Sequence, residues 1–128
     1  MVDLDTNSFP CPDDVTENQY SKLKIVVKYV HEHYHEGAMR LDVVAYQADM
    51  SPSHCSRIFK KVMGQTYLNY VHNLRIAAAI VLLQNSAFSI TDIGGQVGFN
   101  DFTNFCRTFR KVMGQTPSQY RKIARSRS

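Results

Sequence analysis

Two arginines, Arg57 and Arg107, stand fifty residues apart and open the same phrase. Arg57 to Thr66 reads R-I-F-K-K-V-M-G-Q-T, and Arg107 to Thr116 reads R-T-F-R-K-V-M-G-Q-T. Eight of ten positions are identical, and a ninth exchanges Lys60 for Arg110. A guanidinium is a planar fork that takes the edge of a guanine, or two phosphate oxygens, bidentately. A phrase repeated with its basic residues intact points to one device applied at two places on one polyanion. A DNA duplex is the target that offers the same feature twice. Asn104 carries the amide that pairs with adenine. Ser53 and Ser56 are short, which predicts weaker base reading by the first copy.

Other reactive side chains carry less. His31 and His35 lie one helical turn apart in the run H-E-H-Y-H-E. A zinc site needs three or four converging ligands, and nothing else clusters in this stretch. They read as helix-end histidines, where a cation suits the dipole. Cys11, Cys55 and Cys106 are odd in number and lack C-x-x-C spacing, against both a disulfide framework and a thiolate zinc site. Cys55 reads as a small core residue and Cys106 as a filler at a serine-like position. There is no G-x-S-x-G, P-loop, H-E-x-x-H or paired-carboxylate pattern, so no catalysis, metal or cofactor is expected.

The elements that must position these residues are helices. Thr16-Glu17-Asn18-Gln19 is a capping box, and Tyr20, Leu23, Val27, Val30 and Tyr34 follow at helical spacing to about Gly37. Leu41 to Ala48 is a short amphipathic segment. Ser51-Pro52 then starts a helix to about Met63, closed by Gly64. Short helix, tight turn, second helix is the helix-turn-helix pattern. Thr66 caps the longest helix, to about Asn85. Its Leu68, Val71, Ile76, Ala79, Ile80, Leu82 and Leu83 are apolar on more than one side, as in a helix buried between two bodies. Arg75 within it reads as a buried hydrogen-bonding or ionic contact between lobes.

The pattern then restarts. Ser89 caps, Ile90, Ile93 and Val97 form the stripe, Gly98-Phe99-Asn100 turns, and Asp101 to Met113 is the second helix. Thr116-Pro117-Ser118-Gln119 is another capping box. The expected fold is all-α, about seven helices, with two helix-turn-helix subdomains joined by a long central helix. The expected parts are an acidic leader or linker at 1–15, a first subdomain at 16–66, a connecting helix at 67–85, a second subdomain at 86–124 and a basic tail at 125–128. Phe59 and Phe109 match because each plugs a subdomain core. A connecting helix of about 19 residues spans roughly 28 Å, close to the ~34 Å between successive major grooves on one face of B-DNA. A tandem repeat in one chain predicts an asymmetric site.

Charge agrees with a polyanionic partner. Residues 1–21 hold five acids and no base, and the remainder holds 15 bases and 6 acids, a balance of +9. The longest apolar run falls well short of a membrane span, and the acidic start lacks a signal-peptide pattern. A cytoplasmic protein is expected.

These residues also carry a family resemblance. Leu41 to Lys122 resembles the DNA-binding domain of AraC/XylS-family transcription regulators. The pieces are S-P-S-H-C-S-R-I-F-K-K-V-M-G (Ser51–Gly64), L-R-I-A-A-A-I-V-L-L (Leu74–Leu83) and I-G-G-Q-V-G-F-N-D-F-T-N-F-C-R-T-F-R-K-V-M-G-Q-T-P-S-Q-Y-R (Ile93–Arg121). The resemblance implies a bacterial transcription regulator, usually an activator that contacts RNA polymerase. It implies groove-facing positions at Ser53, Ser56 and Arg57, with Ser51 and Pro52 at the helix start. In the second unit it implies Phe102, Thr103, Asn104, Cys106 and Arg107. Helix N-termini near Ser51, Thr66, Asn100 and Thr116 would donate N–H groups to phosphates. Lys60, Lys61, Arg110 and Lys111 are electrostatic candidates.

Two departures from the family pattern matter. Gly94 stands where relatives usually carry Ala, and Gly95 where they carry a non-glycine. At about 1 kcal/mol each relative to Ala, the pair predicts an irregular helix. Cys55 stands where relatives have Leu, which predicts looser packing. Many relatives attach an effector-binding, dimerising domain ahead of this one; the chain reads either as a small stand-alone regulator or as the C-terminal piece of a larger one, with a leader more like a linker than a domain. The main alternative is a protein-interaction module on the same scaffold, docking on RNA polymerase or a partner regulator. A third class is a metal- or redox-responsive sensor built on the histidine run and Cys106.

Overall fold

The computed structural model describes residues 14–37 and 39–126. Most of the acidic leader, Cys11 included, lies outside the described residues, as does the end of the basic tail. Among the described residues the fold is all-α: α1 Glu17–His33, α2 Leu41–Gln47, α3 Pro52–Met63, α4 Tyr67–Asn85, α5 Ile90–Gln96, α6 Phe102–Met113 and α7 Pro117–Ser126. A single 3₁₀ turn, Tyr34–Glu36, follows α1, so the first helix stops short of Gly37.

The chain divides into two compact units, and the division falls inside α4, between Val71 and His72. In the first unit α1, α2 and α3 pack on one another. The capping box at Thr16 forms reciprocally: Gln19 N donates to Thr16 Oγ1 at 3.1 Å and Thr16 N to Gln19 Oε1 at 3.0 Å. The core takes Leu23, Val26, Val27 and Val30 from α1, Val44 and Ala45 from α2, and Cys55, Ile58, Phe59 and Val62 from α3. Phe59 meets Tyr67 and Tyr70 edge-on, with centroids 5.7 and 5.4 Å apart. Tyr67 is buried, whereas Leu68, expected in the apolar set, is 60% exposed. The register of α4 is therefore one residue off that expectation at its start.

The second unit takes the 34–37 segment and the rest of the chain from His72. Its core is Ile76, Ala79, Leu83, Ile93, Val97, Phe99, Phe105 and Phe109. Phe99, Phe105, Phe109 and Tyr120 form a chain of ring contacts 5.3, 6.0 and 5.8 Å apart. The repeat is thus conformational as well as sequential. Phe59–Tyr70 and Phe109–Tyr120 cross at 74° and 72°. Gly64 and Gly114 end α3 and α6 at φ 76° and 77°.

Three expectations need correction in the second unit. Despite its two glycines, α5 is an α-helix throughout. The reason is packing: a Cβ on Gly94 would lie 2.8 Å from Phe105 Cδ2, so the missing methyl lets the ring close onto the helix. Arg75 is buried and hydrogen-bonded, but inside one unit rather than between lobes. Its Nε donates to Tyr34 O and its Nη2 to Gly37 O, both at 2.8 Å. Gly98 at φ 114° backs this contact, since a Cβ there would meet Tyr34 O at 2.6 Å and Arg75 Nε at 2.7 Å. Lastly, Arg125, expected in the basic tail, is helical like Arg121. Both lie in α7, and both donate to carbonyls at the C-terminus of α4: Arg121 to Leu83 O and Ser86 O at 3.3 Å, Arg125 to Ser86 O.

Candidate nucleic-acid interface

In the first unit the turn between α2 and α3 runs through Asp49 at φ 55°, a conformation Asp tolerates because its short side chain hydrogen-bonds locally. Ser51 Oγ accepts from His54 N at 3.2 Å and caps α3. Pro52 has no N–H, so of the first three amides of α3 only that of Ser53 is left for a phosphate. Cys55, Ile58, Phe59 and Val62 take the core face of α3. The helical period then puts Ser53, Ser56, Arg57, Lys60 and Lys61 on the exposed face, together with Ser51 and Pro52. Thr66 is exposed and caps α4 through Asn69 N. Arg57 Nη2 lies 2.8 Å from His54 Nδ1. Lys61 Nζ is paired with Asp14, and its hydrogen bond holds the Asp14 carboxyl below the usual carboxylate range.

In the second unit the turn is one residue longer, 97–101 against 48–51, and Gly98 holds the positive-φ position. The cap of α6 is Asp101, whose Oδ1 accepts from Asn104 N at 2.6 Å. Asn100 is exposed just before it. The Asp101 carboxylate stabilises the helix start but repels a phosphate there, a point missed by reading Asn100 as the helix terminus. Phe105, Thr108 and Phe109 take the core face. Phe102, Thr103, Asn104, Arg107 and Lys111 are exposed, and Cys106 and Thr116 are half-buried. A shallow concavity brings Phe102, Thr103, Cys106, Arg107, Arg110 and Lys111 together with Thr116 from the start of α7. Burial pushes the Cys106 thiol up, and pushes the Cys55 thiol up to about 11. Both are therefore thiols at neutral pH rather than nucleophilic thiolates.

The sequence reading gave no site role to His54, Gln19 or Asp101. The spacing of His54 to Arg57, one helical turn on one face, was the available signal for the first. The histidine run resolves differently from a ligand cluster. His31 Nε2 lies 2.6 Å from Tyr70 Oη, half-buried, and His35 is exposed. Among the described residues no three metal-ligating side chains converge. No helix among them is long and apolar enough to cross a membrane.

The profile of a family described as a helix-turn-helix domain matches residues 44–123. The chain is 34% identical over 121 residues to the uncharacterized HTH-type transcriptional regulator YdeC of Bacillus subtilis. That match covers 94% of this chain and 41% of YdeC. The structure of a transcriptional regulator with an AraC-type DNA-binding domain, from Chromobacterium violaceum, superposes with a TM-score of 0.72 at 28% identity, over 85% of this chain and 96% of that one.

The chain belongs to the AraC/XylS-type helix-turn-helix family.

The AraC-type fold also matches the DNA-binding domain of AdpA, a global transcriptional factor solved with a target DNA. The TM-score is 0.78 at 29% identity, over 83% of this chain and 95% of that one. The AraC-type domain here spans less than half the length of the curated relatives it matches, 41% for YdeC and 36% for the regulatory protein PocR of Salmonella typhimurium.

Proposed function

We propose that this chain is the DNA-reading module of a bacterial transcription regulator, with α3 and α6 as recognition helices in successive major grooves of an asymmetric site. The observation that carries the reading is the doubled geometry. Each unit buries one face of a twelve-residue helix and exposes a polar N-terminal half with an arginine, followed by two basic residues. A major groove about 12 Å wide admits such a helix, and the AdpA domain of the same fold is bound to a target DNA.

On the first helix Arg57 reads a base, Ser53 and Ser56 make close, less discriminating contacts, and the Ser53 amide with Ser51 and Pro52 approaches phosphate. On the second, Arg107 and Asn104 read bases, Phe102 and Thr103 supply apolar contact to thymine methyls, and Cys106 lines the concavity. Lys61, Lys111, Thr66, Asn100 and Thr116 lie on the phosphate side. Lys61 must leave Asp14 to reach a phosphate, an exchange that costs little because water and salt screen an exposed ion pair. RNA polymerase is the protein partner this reading calls for, with activation as the outcome.

The test is selection of bound duplexes from a random pool, then footprinting of the selected site. Protection of two neighbouring major grooves over roughly 20 bp is expected. Arg57→Ala and Arg107→Ala should each weaken specific binding by ~1–3 kcal/mol. Binding indifferent to sequence, or unchanged in both variants, overturns the proposal.

A further inference from the structure

His54 lies one turn before Arg57 on α3, half-buried, with its ring between two elements of the first unit. Arg57 Nη2 is 2.8 Å from His54 Nδ1. A guanidinium has only protons to give, so Nδ1 accepts and the neutral ring carries its proton on Nε2. On the other edge His54 Nε2 lies 3.3 Å from Gln19 Nε2 of α1. Gln19 Oε1 meanwhile accepts from Thr16 N at 3.0 Å. Two donors then face each other across the Gln19 contact. The amide could turn over and offer its oxygen only by giving up its bond from Thr16 N, one half of the capping box.

The ring therefore serves Arg57 or the amide as placed, not both. Distance and charge decide for Arg57: 2.8 Å to a cationic donor against 3.3 Å to a neutral one. Arg57 is a long exposed side chain that must lose rotamer freedom when it reads a base. A short, half-buried ring that already holds one of its five N–H groups removes part of that cost and leaves enough donors for a bidentate contact.

We propose that His54 is a positioning residue for Arg57, holding its guanidinium so that base reading by the first unit is pre-organised. This rests on the DNA-reading role of Arg57. The repeat points the same way: the matching pair in the second copy is Asn104 and Arg107, at the same three-residue step, with an amide oxygen available as the acceptor. His54→Asn thus places the second copy's residue in the first.

The experiment is a double-mutant cycle on the intact chain. Anisotropy titrations would use the duplex selected by the wild-type chain and its single base-pair variants. His54→Ala should weaken binding about two- to tenfold, the ordering cost of one long side chain. Discrimination should be lost at the base pair whose preference Arg57→Ala also abolishes. In the Arg57→Ala background, His54→Ala should have no further effect; with Arg57 present, His54→Asn should retain most of the affinity that His54→Ala loses. Circular dichroism of each variant separates binding from folding. Additive losses, an unchanged His54→Ala, or a His54→Asn as defective as His54→Ala overturns the proposal while leaving the role of Arg57 standing. An Arg57→Ala variant with wild-type affinity and specificity overturns that role, and this inference with it.

Discussion

Three polar side chains, one buried and two half-buried, carry consequences out of proportion to their size. Arg75 is 7% exposed, donates to the carbonyls of Tyr34 and Gly37, and sits over the Phe99 ring at 5.6 Å. Replacing it by Met removes two charge-assisted bonds and orphans two carbonyls, so Arg75→Met should lower unfolding free energy by about 3 kcal/mol in urea titrations. Burial lowers the pKa of both His31 and His72 from 6.5. The unfolded chain therefore binds protons at higher pH than the native one does. The stabilisation is fully present above the unfolded value and is lost as pH falls below about 6.5 toward the depressed folded values. Urea midpoints should fall between pH 7.5 and 5, with a slope of at most about 1.4 kcal/mol per pH unit per histidine. His31→Gln should flatten that slope without abolishing it, because His72 keeps its share. A pH-independent midpoint in the wild-type chain would refute the burial argument for both.

Helix α5 separates propensity from packing. Gly94 and Gly95 are neighbours of identical intrinsic propensity, and both would gain about 1 kcal/mol as Ala on helix energetics alone. A Cβ on Gly95 meets nothing within 4 Å, whereas one on Gly94 lies 2.8 Å from Phe105 Cδ2. Gly95→Ala should therefore raise the thermal midpoint, by about 0.5–1 kcal/mol of stability. Gly94→Ala should lower it, by about 1–3 kcal/mol, because the Phe105 ring has to move in a packed core. Equal effects of the two substitutions would refute the packing explanation. The caps act at the same scale. Ser51, Ser89, Asp101 and Thr116 each take the amide three residues on; Ser51, Ser89 and Thr116 were read as caps because a cap is a contact over three residues, whereas Asp101 was read as the first helical residue behind a terminus at Asn100. The regularity of α5 was not readable, since it depends on a ring eleven residues away.

At the scale of the whole molecule the two units should behave as unlike readers on like scaffolds. The matched positions are structural: the core phenylalanines, the left-handed glycines, and the threonine caps. The exposed faces ahead of them differ, Ser53 and Ser56 against Thr103, Asn104 and Cys106. Selected sites should accordingly be non-palindromic, with Arg57→Ala relaxing preference in one half and Arg107→Ala in the other. A palindromic consensus, or relaxation of the same half by both variants, would contradict this. Affinity should fall steeply with salt, with log K linear in log salt. Lys111→Ala should reduce the magnitude of that slope by about one unit without changing base preference.

The sequence by itself determined the helices, their caps, the doubled unit and the exposed faces of α3 and α6. All of these follow from periods of three to four residues and from a repeat at fixed offset. Only the tertiary structure decided which polar groups meet across the chain: Arg75 with the 34–37 segment, His31 with Tyr70, and His54 with Gln19, at separations of 41 and 38, 39, and 35 residues. Spacing along a chain says which face a side chain is on. Which partner it finds depends on how helices cross and which rotamers the packing leaves open, and those are properties of the folded core.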